Sequence, residues 1–296
     1  MGLVDVSIIV PVRNGASTIR ECLRSVLSLH FPPEQMELIC VDNNSSDATP
    51  MVLAEFGDRV RVIPEKRRGA SAARNAGLRV AKGKWIAFTD ADCVVDRQWL
   101  ENLLPQLRSG RVDGVGGRNL ALRGANAIAR FGEIIHDHWR AIEESRPPYL
   151  ITMNMAMPLA LLRQHGGFDE RWIRAQDAEL SFRLVGAGCR FAYVPSAVVR
   201  HHNEKTLTAL WREGYTHGYW GTELHRTYAG IKAPIRQGSG MGGCEMSAAG
   251  LTRWQRAAFA HIFQNGKRCG FAAGKWFPPT TLKSGPALLR DEDAGT

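Results

Sequence analysis

No window of this 296-residue chain approaches 18 uninterrupted apolar residues, so a membrane-spanning helix is excluded on hydropathy. Cysteine is sparse and scattered: Cys22, Cys40, Cys93, Cys189, Cys244 and Cys269 form no C-x-x-C pair. That pattern predicts reduced thiols in a cytosolic protein. No basic leader precedes the first apolar run at Val6, which predicts a mature amino terminus without a cleavable segment. There is no internal repeat. A glycine-rich phosphate loop is also missing after that run, where only Asn14-Gly15-Ala16 stands.

What is present is length and positive charge. A chain of this size buries a large core as one large or two modest domains, without staples. The net charge of +9, with a pI near 9.5, favours anionic partners: nucleic acid, sugar nucleotides or the cytoplasmic lipid surface. Charge alone does not choose among them.

Residues 6–12 (VSIIVPV) and 37–41 (ELICV) are short apolar runs of strand length, and residues 60–63 form a third. Between the first two, Thr18 and Glu21 have capping-box spacing, followed by Ile19, Cys22, Leu23, Val26 and Leu27 at helical period. Residues 42–47 (DNNSSD) suit a turn and a helix cap, and residues 70–81 are alanine-rich and helical. Strand and helix alternate, which implies parallel strands with right-handed crossovers. Beyond residue 96 the alternation fades. An amphipathic helix begins at Trp99, a short strand is predicted over 113–118, and residues 125–144 read as one helix. Strand-like residues 151–157, a turn at Gly166-Gly167, a helix over 178–185 and two short strands over 190–194 and 198–200 follow. Residues 207–228 are predicted helical, 238–243 a glycine-rich linker, and 252–263 a last amphipathic helix with a basic and aromatic face suited to a membrane interface or to packing on the domain.

The most informative stretch is 84–96, KWIAFTDADCVVD. An apolar run ends abruptly on Asp90-Ala91-Asp92, which places two carboxylates outside the carboxyl end of a strand, where open α/β sheets bind ligands. Magnesium or manganese, shared with substrate phosphates, is the natural occupant. The same spacing recurs at Asp291-Glu292-Asp293 in a polar tail, with no strand before it.

Taken in order, VSIIVPVRN, ELICVDNNSSDAT, GASAARNAGLRVAKGKWIAFTDADC, NMA at 154–156, GGFDER and AQDAELSFRL make the chain resemble the family 2 glycosyltransferases of the GT-A fold. The likeness spans about residues 6–215. It implies an α/β architecture, a Rossmann-like, mostly parallel mixed sheet flanked by helices, with a helical C-terminal extension. Residues 1–228 would form the transferase domain, split into a nucleotide-binding half (1–118) and an acceptor half (119–228), and residues 229–296 a linker and amphipathic tail.

The resemblance also implies roles. Pro11 and Val12 would line the base pocket with Asn14 at the same strand end, and Asp42 would accept a hydrogen bond from the base, usually uracil; capping its own turn is the other use of Asp42. Arg74 would reach the diphosphate through its two-pronged guanidinium. Lys66, Arg67 and Arg68 read as a solvated loop, and Asn75 as a polar residue satisfied within its helix. Asp90 would sit near ribose and metal, Asp92 on the metal, and His201 would complete the metal sphere, with His202 as the fallback. The pair His136-x-His138 is expected to be structural. Asp177 matches the family's general base, or caps its helix, and Glu179 would orient the acceptor or a basic side chain. Gln176 stands where the family commonly has Glu, and Pro158 where Arg is frequent. The Q-x-x-R-W signature of processive relatives is missing.

The implied activity is an inverting, metal-dependent, non-processive transfer from a nucleotide sugar, most often a UDP-sugar, with Mn2+ or Mg2+, to a saccharide, lipid-linked or small-molecule acceptor. It would act in the cytoplasm, with a possible peripheral contact at the inner face of the cell membrane in cell-envelope polysaccharide synthesis. The competing readings are a basic nucleic-acid or anionic-surface binder, disfavoured by dispersed charge and the lack of a nucleic-acid motif, and a sugar-nucleotide nucleotidyltransferase.

Overall fold

Strand β1 (Val6–Val12) sends its side chains alternately into two apolar cores: Val6, Ile8, Val10 and Val12 into one, Ile9 into the other. That is the period-two pattern of a strand buried on both faces. The computed structural model describes residues 4–231 and 250–283. β2 (Met36–Asp42), β3 (Arg61–Pro64) and β4 (Trp85–Phe88) are added in parallel, in the spatial order β3-β2-β1-β4. The intervening helices are α1 (Ile19–Leu27), α2 (Thr49–Ala54) and α3 (Ala70–Val80). The first two pack on one face through residues such as Leu23 and Leu53, the third on the other through Ala73 and Ala76. Gly77 lets α3 lie directly on β1, since a Cβ there would come within 2.6 Å of Ile9 Cγ2.

The second half continues the sheet with mixed polarity. It comprises β5 (Cys93–Val95), α4 (Trp99–Arg108), β6 (Gly114–Ala121), α5 (Ala127–Ile135), β7 (Met155–Pro158), α6 (Leu159–Gln164), α7 (Gln176–Gly186) and β8 (Phe191–His201). The described strands form one sheet of eight in the order β3-β2-β1-β4-β7-β6-β8-β5. β7 runs antiparallel to β4 and β6, whereas β8 is parallel to β6 and antiparallel to β5. Mixed polarity beyond β4 is what the loss of alternation in the sequence predicts.

Several local expectations need correction. Thr18 occupies the N-cap of α1 without a side-chain capping bond, so the capping box does not form. The helix expected over 125–144 ends at Ile135, and a separate π-helical turn covers Arg140–Glu144. The two strands expected over 190–200 are one, β8, whose pairing with β6 skips from Val194 to Val198. A bulge of that kind accommodates Pro195, which cannot donate to the ladder.

α8 (Leu207–Tyr228) matches its predicted limits, but α9 (Arg253–Trp276) runs well past residue 263. Thr252 caps it in a capping box with Gln255. The two helices lie parallel and in backbone contact. A Cβ on Gly214 or Gly218 would meet the carbonyls of Phe263 and Lys267 at 2.2 and 1.9 Å, and one on Gly266 or Gly270 those of Trp211 and Tyr215 at the same two distances. Leu210, Leu251 and Phe263 join Phe131 of α5 in a small core that ties the pair to the sheet domain. The glycine-rich 238–243 segment and Asp291-Glu292-Asp293 lie outside the described residues.

Candidate active site

The carboxyl ends of β1, β2 and β4 open on one side of the sheet, and the loops there are stitched together. Asn14 donates its N–H to Ser45 Oγ (3.0 Å) and its Oδ1 accepts from the Ser46 N–H (2.8 Å), while Asp42 Oδ1 accepts from the Ser45 N–H at 3.0 Å. Asp42 therefore caps its turn, one of the two uses open to it. Pro11 is half-buried and Val12 buried beside them. Asn43 holds the loop leading to α3: its Nδ2 donates to the carbonyls of Glu65 and Arg67 and its Oδ1 accepts from the Gly69 N–H.

Among the described residues, three other than glycine have left-handed backbone: Asn14 (φ 51°), Asn44 (φ 59°) and Ala175 (φ 58°). Two follow the first two strands and the third immediately precedes α7. Each conformation costs about 1–3 kcal/mol, a strain that clusters at sites requiring a fixed geometry.

Arg74, on α3, is only 4% exposed and donates from Nη2 to Asp90 Oδ1 at 2.7 Å. Its guanidinium also lies over the Phe168 ring, 5.5 Å from the centroid, and its Nε is buried without a hydrogen-bond partner among the described residues. The expected anion-binding side chain is thus held rigidly, with a donor unspent.

The Asp92 and His201 pair follows from strand register. β5 pairs antiparallel with β8 so that Cys93 sits opposite His201, and the His202 N–H donates to the Asp92 carbonyl at 3.0 Å. His201 Nε2 then lies 3.3 Å from Asp92 Oδ2, while His201 Nδ1 and Asn203 Oδ1 are 2.6 Å apart. His202 instead reaches toward Glu21, 3.7 Å away. Of the two histidines, His201 is the one that faces Asp92. Burial disfavours the charge on Asp92, yet the hydrogen bond and charge of His201 hold its carboxyl below the usual range. Burial likewise lowers the His201 pKa, and Asp92 more than reverses this, carrying it up to about 9.

The donor set fits a divalent cation. A carboxylate oxygen and an imidazole Nε2 converge, and the other imidazole nitrogen is engaged by an amide oxygen, the partner that fixes the ligating tautomer. Cys93 Sγ is 3.7 Å from Asp92 Oδ1, but burial drives its thiol well above the usual range and leaves it a poor thiolate ligand.

Asp177 is the second residue of α7 rather than its N-cap, which is Ala175. Its Oδ1 accepts from the Ala178 N–H (2.9 Å) and its Oδ2 from the Thr152 N–H (3.4 Å). Burial raises its pKa, opposed by the charge of Arg74 and reinforced by that of Asp90, so Asp177 shares an electrostatic environment with both. Gln176, at the departure from the family pattern, donates to the Ile173 carbonyl.

Other expectations resolve into packing. Asn75 is satisfied across the fold: its Nδ2 donates to the Phe168 carbonyl and Glu170, and its Oδ1 accepts from the Phe168 N–H. Glu179 orients a basic side chain, taking two bonds from Arg183 (2.7 and 3.0 Å) and one from the Tyr228 hydroxyl (2.6 Å). Lys66, Arg67 and Arg68 are exposed, with Arg67 paired to Glu65 and Glu170. Asn154 of the NMA segment is buried, accepting from Trp99 Nε1 and donating to the Arg118 and Ala197 carbonyls. His138 is buried as expected, but His136 faces Glu213 at 3.1 Å. The sequence reading missed Asn43 and Asn203, because neither signals its partners locally.

The family model for glycosyl transferase family 2 matches residues 7–166. A pre-mycofactocin glycosyltransferase of Mycobacterium tuberculosis is 31% identical over 69% of this chain and 44% of its own length. Glycosyltransferase AglE of Haloferax volcanii is 29% identical over 66% of each chain. This chain thus spans less than half the length of the first of these relatives. Among solved structures, S. aureus TarS 1–349 in complex with UDP-GlcNAc superposes with a TM-score of 0.62 at 16% identity, covering 92% of this chain and 74% of that one. Mannosyltransferase PcManGT from Pyrobaculum calidifontis, in complex with GDP-Man and Mn2+, gives 0.61 at 22% identity over 91% and 75%. With its helix-flanked, mostly parallel sheet shared with these GT-A structures and more than half of its length matched by the family model, the chain belongs to glycosyl transferase family 2.

Proposed function

We propose that this protein is an inverting, metal-dependent, non-processive glycosyltransferase that moves a sugar from a nucleotide donor, preferentially a UDP-sugar, to a hydroxyl of a saccharide, lipid-linked or small-molecule acceptor. The observation that carries this reading is the grouping of Arg74, Asp90, Asp92 and His201 at the end of β4, with Asp177 within electrostatic reach. Residues 1–118 would hold the nucleotide and 119–228 the acceptor, with 229–296 as an accessory tail. The complexes of TarS with UDP-GlcNAc and of PcManGT with GDP-Man and Mn2+ support a nucleotide sugar and a cation in general terms.

In this reading Pro11, Val12 and Asn14 wall the base, and Asp42 accepts from a ring N–H of uracil. Arg74 donates its unspent Nε–H, and on rotation away from Asp90 its Nη2, to diphosphate oxygens. A Mn2+ or Mg2+ ion held by Asp92 and His201, with Asp90 beside ribose and metal, would neutralise the charge that develops on the departing diphosphate. Asp177 takes the proton of the acceptor hydroxyl as the new bond forms on the face opposite the leaving group, which inverts the anomeric centre. Its burial makes it a stronger base than a solvated carboxylate, as that role requires.

No described helix is long and apolar enough to cross a membrane. Trp254 and Trp276 of α9 are 86% and 81% exposed among basic residues such as Arg253 and Lys275, which supports a peripheral contact with anionic lipid at the cytoplasmic face of the cell membrane.

Nucleotide-sugar hydrolysis, measured with and without Mn2+ for the wild type, Asp92→Asn and Asp177→Asn, tests the assignment. Loss of metal-stimulated hydrolysis in Asp92→Asn, with loss of acceptor transfer alone in Asp177→Asn, is expected. Metal-independent turnover untouched by Asp92→Asn would sink the reading. A thermal-shift series of nucleoside diphosphates with Mn2+ identifies the base, because the tightest product stabilises the fold by mass action.

A further inference from the structure

We propose that His136, Glu213 and His217 form a second divalent-cation site, selective for a borderline ion such as Zn2+, distinct from the Asp92 and His201 pair. Glu213 and His217 stand one turn apart on α8 and therefore share a face. His136 arrives from a different element, at the C-cap of α5, with its Nε2 3.1 Å from Glu213 Oε1. One ligand atom from each of the three lies within 4.8 Å of the others. His217 is exposed, its ring edge-to-face with Phe263 at 5.5 Å between centroids, and binding zinc at ~2.0–2.2 Å would require that ring to rotate toward the other two ligands.

An outer shell is already in place. His136 Nδ1 lies 3.2 Å from Asn203 Oδ1, the same oxygen that His201 Nδ1 approaches at 2.6 Å. A single amide oxygen thus lies within hydrogen-bonding distance of both Nδ1 atoms, which leaves each Nε2 turned toward a carboxylate. Asn203 is itself buried and held, its Nδ2 donating to the Ala129 carbonyl at 2.8 Å. Gly132 makes room for it, since a Cβ there would come within 2.4 Å of the Asn203 side chain. A hydrogen-bond acceptor on the non-ligating nitrogen is what metal-bound histidines characteristically have, and the Asn203 amide oxygen can serve as one.

The donor set points the same way, with two imidazoles and one carboxylate converging. Two nitrogens and one oxygen select zinc over magnesium, whereas carboxylates shared with phosphate suit Mg2+ or Mn2+. The second site would therefore fasten α8 to the end of α5 and, through Asn203, set the orientation of His201.

Metal binding itself is the readout, so this inference can fail without touching the proposed glycosyl transfer, and the converse holds. Chelator-stripped full-length Asp92→Asn, which disables the first site, is titrated with Zn2+ alone by calorimetry and with Co2+ alone by visible absorption. One equivalent of Zn2+ and the intense visible bands of low-coordinate Co2+ are expected. Adding His217→Ala or Glu213→Gln should weaken Zn2+ binding at least ~100-fold, and Asn203→Ala by the ~10–100-fold typical of an outer-shell partner. Circular dichroism identifies any variant that fails to fold; His217, being exposed, is the variant on which the result rests. Absence of Zn2+ binding in Asp92→Asn, or binding undiminished by a folded His217→Ala variant, would overturn the proposal.

Discussion

Acidification should destabilise this protein through one buried imidazole. His138 is 1% exposed, its Nε2 accepts from the Ile151 N–H at 2.8 Å, and its ring fills the space over Gly116, where a Cβ would come within 2.2 Å of it. Burial lowers its pKa from 6.5 to about 3. Above pH 6.5 the ring is neutral in both the folded and the unfolded chain, and the shift has no effect on stability. Below that pH the unfolded chain takes up a proton that the folded protein refuses, so stability falls by ~1.4 kcal/mol per pH unit. The loss reaches ~2 kcal/mol at pH 5 and levels off at ~5 kcal/mol near pH 3. Urea unfolding at pH 7 and pH 5 measures it, with His138→Gln as the reference because an amide oxygen can accept from Ile151 without titrating. Both proteins carry the same carboxylates and the same His201, whose raised pKa acts in the opposite sense and in a higher window, between about 6.5 and 9. Wild type should lose ~2 kcal/mol more than the variant over those two pH units. An equal loss in the two would refute the argument that this ring is held neutral by burial.

Asp177→Asn is expected to reduce transfer ~10²–10⁴-fold, the usual contribution of a general base, while nucleoside diphosphate binding measured by calorimetry stays within a factor of a few. Arg74→Lys keeps the charge but not the fork, so diphosphate affinity should fall ~10-fold or more, read in the same titration. Glu179→Gln removes the counter-charge of Arg183 and should cost about 3 kcal/mol in urea unfolding. Gly270→Ala puts a methyl group 1.9 Å from the Tyr215 carbonyl, where neither helix backbone can yield. It should separate α9 from α8 at ~1–3 kcal/mol and raise amide exchange selectively over residues 253–276.

The nucleotide half was legible because its strands are buried on both faces and write themselves as unbroken apolar runs, as in VSIIVPV and ELICV. β5 was not, since three residues at a sheet edge carry no periodic signal. That omission hid the reason why Asp92 meets His201, which is the register of β5 against β8 and nothing near either residue in the chain. Asp90, Asp92 and Asp177 stood out because they end strands or begin a helix within a recognisable motif. Asn43, Asn203 and the Glu213 partner of His136 did not, because a buried amide or an ion pair between distant segments depends on tertiary contacts. The predicted helix over 125–144 failed for a related reason: composition favours helix throughout, but His138 must turn inward to meet Ile151, and the chain breaks at His136 to let it do so.

The glycines that bring α8 and α9 together recur every four residues, at 266, 270 and 274 on one helix and 214 and 218 on the other. They set how near the helices approach, yet they are a poor ruler for where one stops along the other. Advancing α9 by one turn would offer Gly270 and Gly274 to the places now taken by Gly266 and Gly270, whereas retreating it would drive Ile262 into the first of them. The interface therefore resists sliding in one direction far more than in the other. What blocks the permitted slip lies elsewhere: the Thr222 hydroxyl, shared between the Gly218 carbonyl of its own helix (3.0 Å) and the Phe271 carbonyl of the other (3.3 Å), bridges the pair, and Phe263 is lodged with Leu210 and Phe131. Those few contacts act as the detent on an otherwise repeating track.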